Sequence, residues 1–247
     1  MKNIDKANLT IFVKENIQAF HENRLRSLQS CSLKKLLKKK NPYLFKAKYI
    51  ITAQELVVSF LDAQLSSSEE KIFGDFLEEL AIFVAGKTFG AVKSSSHGID
   101  IEYTSQGKRF LVSVKSGLNW GNSSQWKALE NDFKTNLRVL KQSKRVQDIE
   151  CILGIAYGDA KATTRKGFIK QICGQEFWYL LSLDKNFYKD IVEPIGYKAK
   201  ELNEDFAIKK SKLINKLTKE FMEDFCNDSG EILWDKVVEY NSGNLKY

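Results

Sequence analysis

Residues 97–125 read HGIDIEYTSQGKRFLVSVKSGLNWGNSSQ, and the reading of this stretch decides the fold. Ile99-Asp100-Ile101-Glu102-Tyr103 alternates apolar and polar residues, Ser105-Gln106-Gly107-Lys108 is rich in turn formers, and Phe110 to Lys115 resumes the alternation. Two alternating runs around a glycine turn make a β-hairpin. With the turn centred between Gln106 and Gly107, Asp100 falls opposite Ser113. Lys115 shares the Ser113 face, because residues two apart on a strand point the same way. An acid and a lysine therefore converge on one side of a two-stranded ribbon.

The flanking sequence supplies helices and a buried strand. On the amino-terminal side, Ser67 and Glu70 fit a capping box that starts a new helix after a Ser66-Ser67-Ser68 loop, and Ile72, Phe76, Leu80 and Val84 give it a broad apolar stripe. On the other side, 116–124 reads as a loop and 125–144 as a helix with Leu129, Phe133 and Leu137 inward and lysines outward. The run 150–158 is continuously apolar and ends in glycine, as in a strand buried on both faces. A basic loop at 161–167 follows, and periodicity leaves 176–183 open between helix and strand. Residues 184–195 read as a helix that Pro194 breaks. Amphipathic helices are expected over 4–29, 52–61, 203–225 and 232–240, with a short lysine-rich helix over 32–41 that Pro42 stops. Its lysine cluster reads equally well as a solvated face or as a grip on phosphates. The order describes a mixed α/β core with helical flanks.

Composition narrows the class. A chain of 247 residues, 43% hydrophobic and 12% aromatic with two prolines, can bury a substantial core and need be no more than one domain. A net charge of +8 favours a polyanionic partner but leaves RNA, DNA and anionic membranes open. Cys31, Cys151, Cys173 and Cys226 form no CxxC pair, and with only His21 and His97 present a zinc site is poorly supported. The first residues lack the pattern of a signal peptide, and no apolar run is long enough to span a bilayer, so the expected location is the cytoplasm, away from membranes.

Gly74-x-x-x-Glu78, then Gly98-Ile99-Asp100, then Val112-Ser113-Val114-Lys115-Ser116-Gly117 resembles the core of the PD-(D/E)xK nuclease superfamily. The Val-Lys-Ser-Gly run followed by Asn119-Trp120-Gly121-Asn122, with the later Gly174-Gln175-Glu176-Phe177-Trp178, narrows the resemblance to type II restriction endonucleases. It implies a restriction-endonuclease-like core, a central mixed β-sheet flanked by helices, over about 41–196 of a single nuclease domain, with helical elaborations at 1–40 and 197–247. It also implies a Mg²⁺-dependent, sequence-specific endonuclease acting on double-stranded DNA as a homodimer and paired with a DNA methyltransferase. Asp100 would be the central metal ligand, the Val114 carbonyl and Glu78 further ligands, and Lys115 the group that orients the attacking water.

The sequence departs from the superfamily pattern at Ser113, where the acid two before the lysine is expected. Glu78, its neighbour Glu79, or Glu102 on the Asp100 face can each compensate, with Glu78 favoured by its place four after Gly74; Ser113 itself can hold a metal-bound water. Asn119, Asn122, Ser124 and Gln125 are candidates for phosphate or base-edge contacts, or else turn formers. Lys127, Lys134 and Arg165 are candidate DNA contacts, while His97 is expected to contact its loop rather than act as a base. The competing functions are a structure-specific repair or junction nuclease and a DNA-binding protein without catalysis, the latter motivated by Ser113.

Overall fold

The structure, a computed structural model, describes residues 4–142 and 148–243. Its contacts divide the chain into two compact units. The first takes residues up to Gln18 together with Phe73–Tyr197, and the second takes Ala19–Ile72 with Lys198 onward. The sequence-derived core of about 41–196 thus differs in its limits from the sheet-bearing unit, with residues 41–72 falling in the second.

The first unit is built on the expected hairpin. Strands β2 (Ile101–Ser105) and β3 (Lys108–Lys115) pair antiparallel from Ser105↔Lys108 to Ile101↔Val112. Gln106 and Gly107 both take positive φ, +51° and +78°, the left-handed pair that a two-residue hairpin turn requires. A short strand β1 (Val92–Lys93) adds to the outer edge of β2. The apolar run becomes β4 (Ile149–Ile155), parallel to β3 and buried from Cys151 to Ile155.

Two strands lie where the sequence predicts a basic loop and its continuation: β5 (Thr163–Arg165) and β6 (Ile169–Cys173), the latter parallel to β4. The sheet order is β1-β2-β3-β4-β6-β5, so the expected mixed sheet flanked by helices is present. Helix α5 (Ser123–Gln142) covers one face, where Leu129 and Phe133 pack with Leu111, Cys151, Leu153 and Ile155. The expected end of this helix, to 144, lies outside the described residues.

Residues 176–183 resolve as helix α6 (Gln175–Ser182), which buries Phe177 and Trp178. Trp178 Nε1 donates to the Ala156 carbonyl at 2.8 Å, anchoring α6 just beyond β4. Two short turns follow, α7 (Phe187–Asp190) and α8 (Val192–Ile195), and Pro194 lies within α8 instead of ending the helix before it.

Residues 4–29 form α1 (Lys6–Gln29) as expected. The capping box and serine loop do not form. Instead α4 (Ala53–Phe89) runs unbroken for 37 residues and spans the two helices expected from sequence. The Ser67 hydroxyl donates back to the Ala63 carbonyl at 3.0 Å, the i−4 bond by which serine is accommodated within a helix, and Thr52 caps the start by accepting from the Glu55 N–H. Phe89 at the far end stacks on Tyr103, which stacks on Phe110, so the helix terminus is tied to the hairpin.

The second unit is helical. It contains α2 (Leu33–Lys39), α3 (Pro42–Ala47), α9 (Ala199–Phe225), α10 (Trp234–Ser242) and the nearer parts of α1 and α4. Leu36, Leu37, Leu56, Phe60, Leu217, Phe221 and Val237 meet in its core. Pro42 follows the end of α2 and is the first residue of α3, where its missing N–H costs nothing, and Asn41 caps that helix by accepting from the Tyr43 and Leu44 amides.

Gly154 on β4 is the tightest approach of sheet to helix: a Cβ there would lie 2.2 Å from Phe177 Cε2. Gly154→Ala should therefore destabilise the protein by about 1–3 kcal/mol through overpacking. Chemical denaturation of the two forms checks this, and equal midpoints would contradict the packing described.

Candidate active site

Asp100 stands at the mouth of the hairpin, one residue before β2. Its backbone N–H donates to the Val112 carbonyl at 2.9 Å. Its carboxylate Oδ2 accepts from the Val114 N–H at 2.6 Å and from the Ser113 hydroxyl at 3.3 Å. Asp100 therefore faces β3 across Ser113, as the turn register requires. Ser113 is buried and Lys115 half-buried, with the Lys115 ammonium 5.6 Å from the centre of the Trp120 ring. The aromatic face offers that cation a partner other than a carboxylate.

The three candidate acids have different surroundings. Glu102 is held by Ser94 and by the Arg109 guanidinium. Burial pushes its pKa up, but the bonds from Ser94 and Arg109 outweigh that and hold it below the usual carboxylate range. Glu79 is half exposed and pairs with Lys93 at 2.8 Å. Glu78 contrasts with both. Its pKa is raised, first by burial and then by the negative charge of Asp100, against the opposing pull of Lys93 and Lys115. Lys93 lies 3.5 Å from it. The structure thus brings Glu78 into the field of both Asp100 and Lys115, and leaves Glu79 and Glu102 engaged elsewhere. Gly74, one turn earlier, faces Ser116 with 3.6 Å of room for a Cβ, so the approach of α4 to the end of β3 does not depend on glycine.

The family model described as type II restriction endonuclease EcoO109I matches residues 7–203. The chain belongs to this family. No curated protein matches the sequence. The acid, the lysine and the helix glutamate are therefore found in a type II restriction endonuclease, a deoxyribonuclease whose substrate is DNA.

In this endonuclease the loop ahead of Asp100 is clamped to α5. Asp132 Oδ1 lies 2.9 Å from His97 Nδ1, and Asn136 donates to the His97 carbonyl at 3.2 Å. Gly98, at φ +74°, sits so close to Asp132 that a Cβ would come within 2.3 Å of its carboxylate. The His97 ring contacts Asp132 on α5 and not its own loop as expected, and is otherwise open to solvent. Sequence reading missed Asp132, Asn136 and Lys93, because nothing local in a helix or a two-residue strand marks a residue whose partner is more than ten positions away.

Asn122 and Gln125 are occupied by the start of α5. The Asn122 side chain accepts from the Ser124 and Gln125 amides, and the Gln125 side chain accepts from the Asn122 N–H, a reciprocal cap. Asn119, Ser124 and Lys127 are exposed, and Lys134 pairs with Glu130 one turn away at 2.6 Å. Arg165 on β5 stacks 4.1 Å from the centre of the Trp126 ring and donates to Gln171 at 2.6 Å.

The two acids make opposite demands on pH. Glu78 has its folded pKa raised above the unfolded value of about 4.3, so its charge costs stability at neutral pH and that cost fades as pH falls through the raised pKa. Glu102 has its folded pKa depressed, so its charge stabilises above about pH 4 and that gain is lost on acidification. Glu78→Gln should then raise Tm at pH 7 while Glu102→Gln lowers it, with both differences shrinking below about pH 4. Thermal unfolding from pH 3 to 8 reads both; shifts of the same sign at pH 7 would contradict this electrostatic picture.

Proposed function

We propose that this endonuclease hydrolyses phosphodiester bonds of duplex DNA at a specific sequence with Mg²⁺, using Asp100, Glu78, Ser113 and Lys115. The observation that carries the reading is the Asp100 carboxylate, fixed by Val114 and Ser113 and sharing its field with Glu78 and Lys115.

The donor set fits a hard divalent cation. Glu78 and Asp100 are oxygen donors whose mutual repulsion a cation between them would relieve. Among the described residues no group of three or more His, Cys, Asp or Glu could hold a metal; Mg²⁺ is commonly bound by one or two carboxylates, with water and phosphate oxygens completing its shell. Mg²⁺ held there would neutralise phosphate charge and acidify a bound water. Within a strand the N–H and C=O of one residue face the same neighbour, so the Val114 carbonyl is directed to the side from which its N–H meets Asp100 and is the third oxygen of the set.

The chain's own residues do the remaining work. Ser113 and Val114 fix Asp100 Oδ2, which leaves Oδ1 as the oxygen free to turn to a cation. The Lys115 ammonium, a donor only, orients the attacking water and offsets charge developing on the phosphate. Asp132 and Asn136 hold the loop that presents Asp100. Two copies in a symmetric dimer would place one such site on each strand of a palindromic target. Such cutting requires protection of the host genome, hence a partner DNA methyltransferase. Among the described residues no helix is long and apolar enough to cross a membrane, and the cytoplasm, where DNA lies, is the proposed location.

With Mg²⁺ the protein should cut unmethylated phage or plasmid DNA into discrete fragments, and EDTA should stop it. Asp100→Ala should abolish cutting and Lys115→Ala should slow it by about 10²–10⁴-fold. Ser113→Ala, which removes a hydrogen bond to a charged carboxylate of about 1.5–3 kcal/mol, should slow it by about 10- to 10²-fold. Undiminished cleavage by both Asp100→Ala and Lys115→Ala would sink the assignment.

A further inference from the structure

In α2 the buried residues are Leu33, Leu36 and Leu37, which turns Lys34, Lys35, Lys38 and Lys39 outward, all exposed. These four form two columns, 34 with 38 and 35 with 39, at the i,i+4 spacing where like charges destabilise a helix. Elsewhere the protein answers several helical lysines with carboxylates one turn away: Lys134 with Glu130, Lys209 with Asp205, Lys216 with Glu220 and Lys219 with Glu223. Around α2 it cannot, because no Asp or Glu occurs between Glu22 and Glu55. Among the described residues no ion pair involves any of the four; Lys35 donates to the Ser30 carbonyl.

The helix dipole accounts for only half of the cluster. It favours Lys38 and Lys39 in the last turn but disfavours Lys34 and Lys35 in the first, where no acid sits. The positive charge is also concentrated: the Cys31 thiol, pushed up first by burial, is pulled down by Lys35, Lys40 and Lys39 together. The charges of α2 therefore oppose one another in the free chain, and a polyanion laid along the helix reverses that.

We propose that the outward face of α2 is a binding surface for the phosphate backbone of duplex DNA, indifferent to sequence and carried by the second unit, not by the unit that holds Asp100. The identity of the partner rests on the DNA-endonuclease reading. The size fits: seven residues at a rise of 1.5 Å make about 10 Å, the length of about three phosphates along one strand.

The test uses the full-length chain and a fluorescein-labelled duplex oligonucleotide, read by fluorescence anisotropy over a KCl series without divalent metal, so that binding is measured apart from cleavage. The variant carries Lys34→Gln, Lys35→Gln, Lys38→Gln and Lys39→Gln, and a companion carries arginine at the same four positions. The glutamine variant should bind about tenfold or more weakly at ~50 mM KCl, and its slope of log affinity against log salt should fall by about 0.9 per phosphate released, about 2.7 for three. The arginine variant should keep affinity and slope. If the glutamine variant does not fold, Lys38→Gln with Lys39→Gln is read in the same way, with a fall of about 0.9–1.8. An unchanged slope overturns the proposal and leaves the nuclease assignment standing. No DNA binding by the unsubstituted protein overturns both. A change confined to the sedimentation coefficient gives the face to a second copy of the chain and ends the DNA reading.

Discussion

The candidate site depends on a single carboxylate oxygen. Asp100 Oδ2 accepts the Val114 N–H at 2.6 Å and the Ser113 hydroxyl at 3.3 Å, and this joins the loop before β2 to the strand that carries Lys115. That bond exists only in one register. A slip of one residue would turn Ser113 and Lys115 to the opposite face and present Val112 and Val114 instead. The two-residue turn at Gln106-Gly107, both left-handed, prevents the slip from one end. Burial of β3 between β2 and β4 prevents it from the other, since Leu111 must enter the α5-side core.

Charge around this oxygen is arranged with one acid paired more weakly than the rest. Glu102 has Arg109, Glu79 has Lys93 at 2.8 Å, and Asp132 has His97. Glu78 has the weaker contact with Lys93 and the repulsion of Asp100, and its raised pKa records that the balance goes against the charged form. The cation nearest in role, Lys115, lies against Trp120. A fold optimised for stability alone would pair these groups more fully, and a weakly paired acid next to a fixed one is what the proposed cation site would draw on.

The hairpin was legible from sequence because period-2 alternation and turn chemistry are local, and together they placed Asp100 against Ser113. The single helix α4 was not. Ser67 and Glu70 have the spacing of a capping box, yet the local alternative loses to a continuous helix that buries Leu65 and, further on, Phe76 and Leu80. Strands β5 and β6 were hidden for a related reason: Thr163–Arg165 is polar and exposed, an edge strand recognisable only by its partner. Among the three glutamates, spacing from Gly74 favoured Glu78. The physical ground for separating them, the engagement of Glu102 by Ser94 and Arg109 and of Glu79 by Lys93, lies in contacts that no sequence window contains.

Ser113 is better understood from its burial than from the acid it replaces. At 1% exposure, a carboxylate there would lie beside Asp100 with almost no solvent to screen the pair. Such a pair raises the affinity for a cation and lowers the stability of the empty site. A serine reverses both effects: it donates to Asp100 Oδ2 and so favours the charged form of the acid it would otherwise repel. The second carboxylate then has to come from a place where solvent softens the repulsion, and Glu78 on α4, with its side chain 30% exposed, meets that condition. In the proposed metal site the serine at 113 and the weakly paired charge at Glu78 are two sides of one arrangement, in which the sheet would fix the first acid and the helix would supply the second.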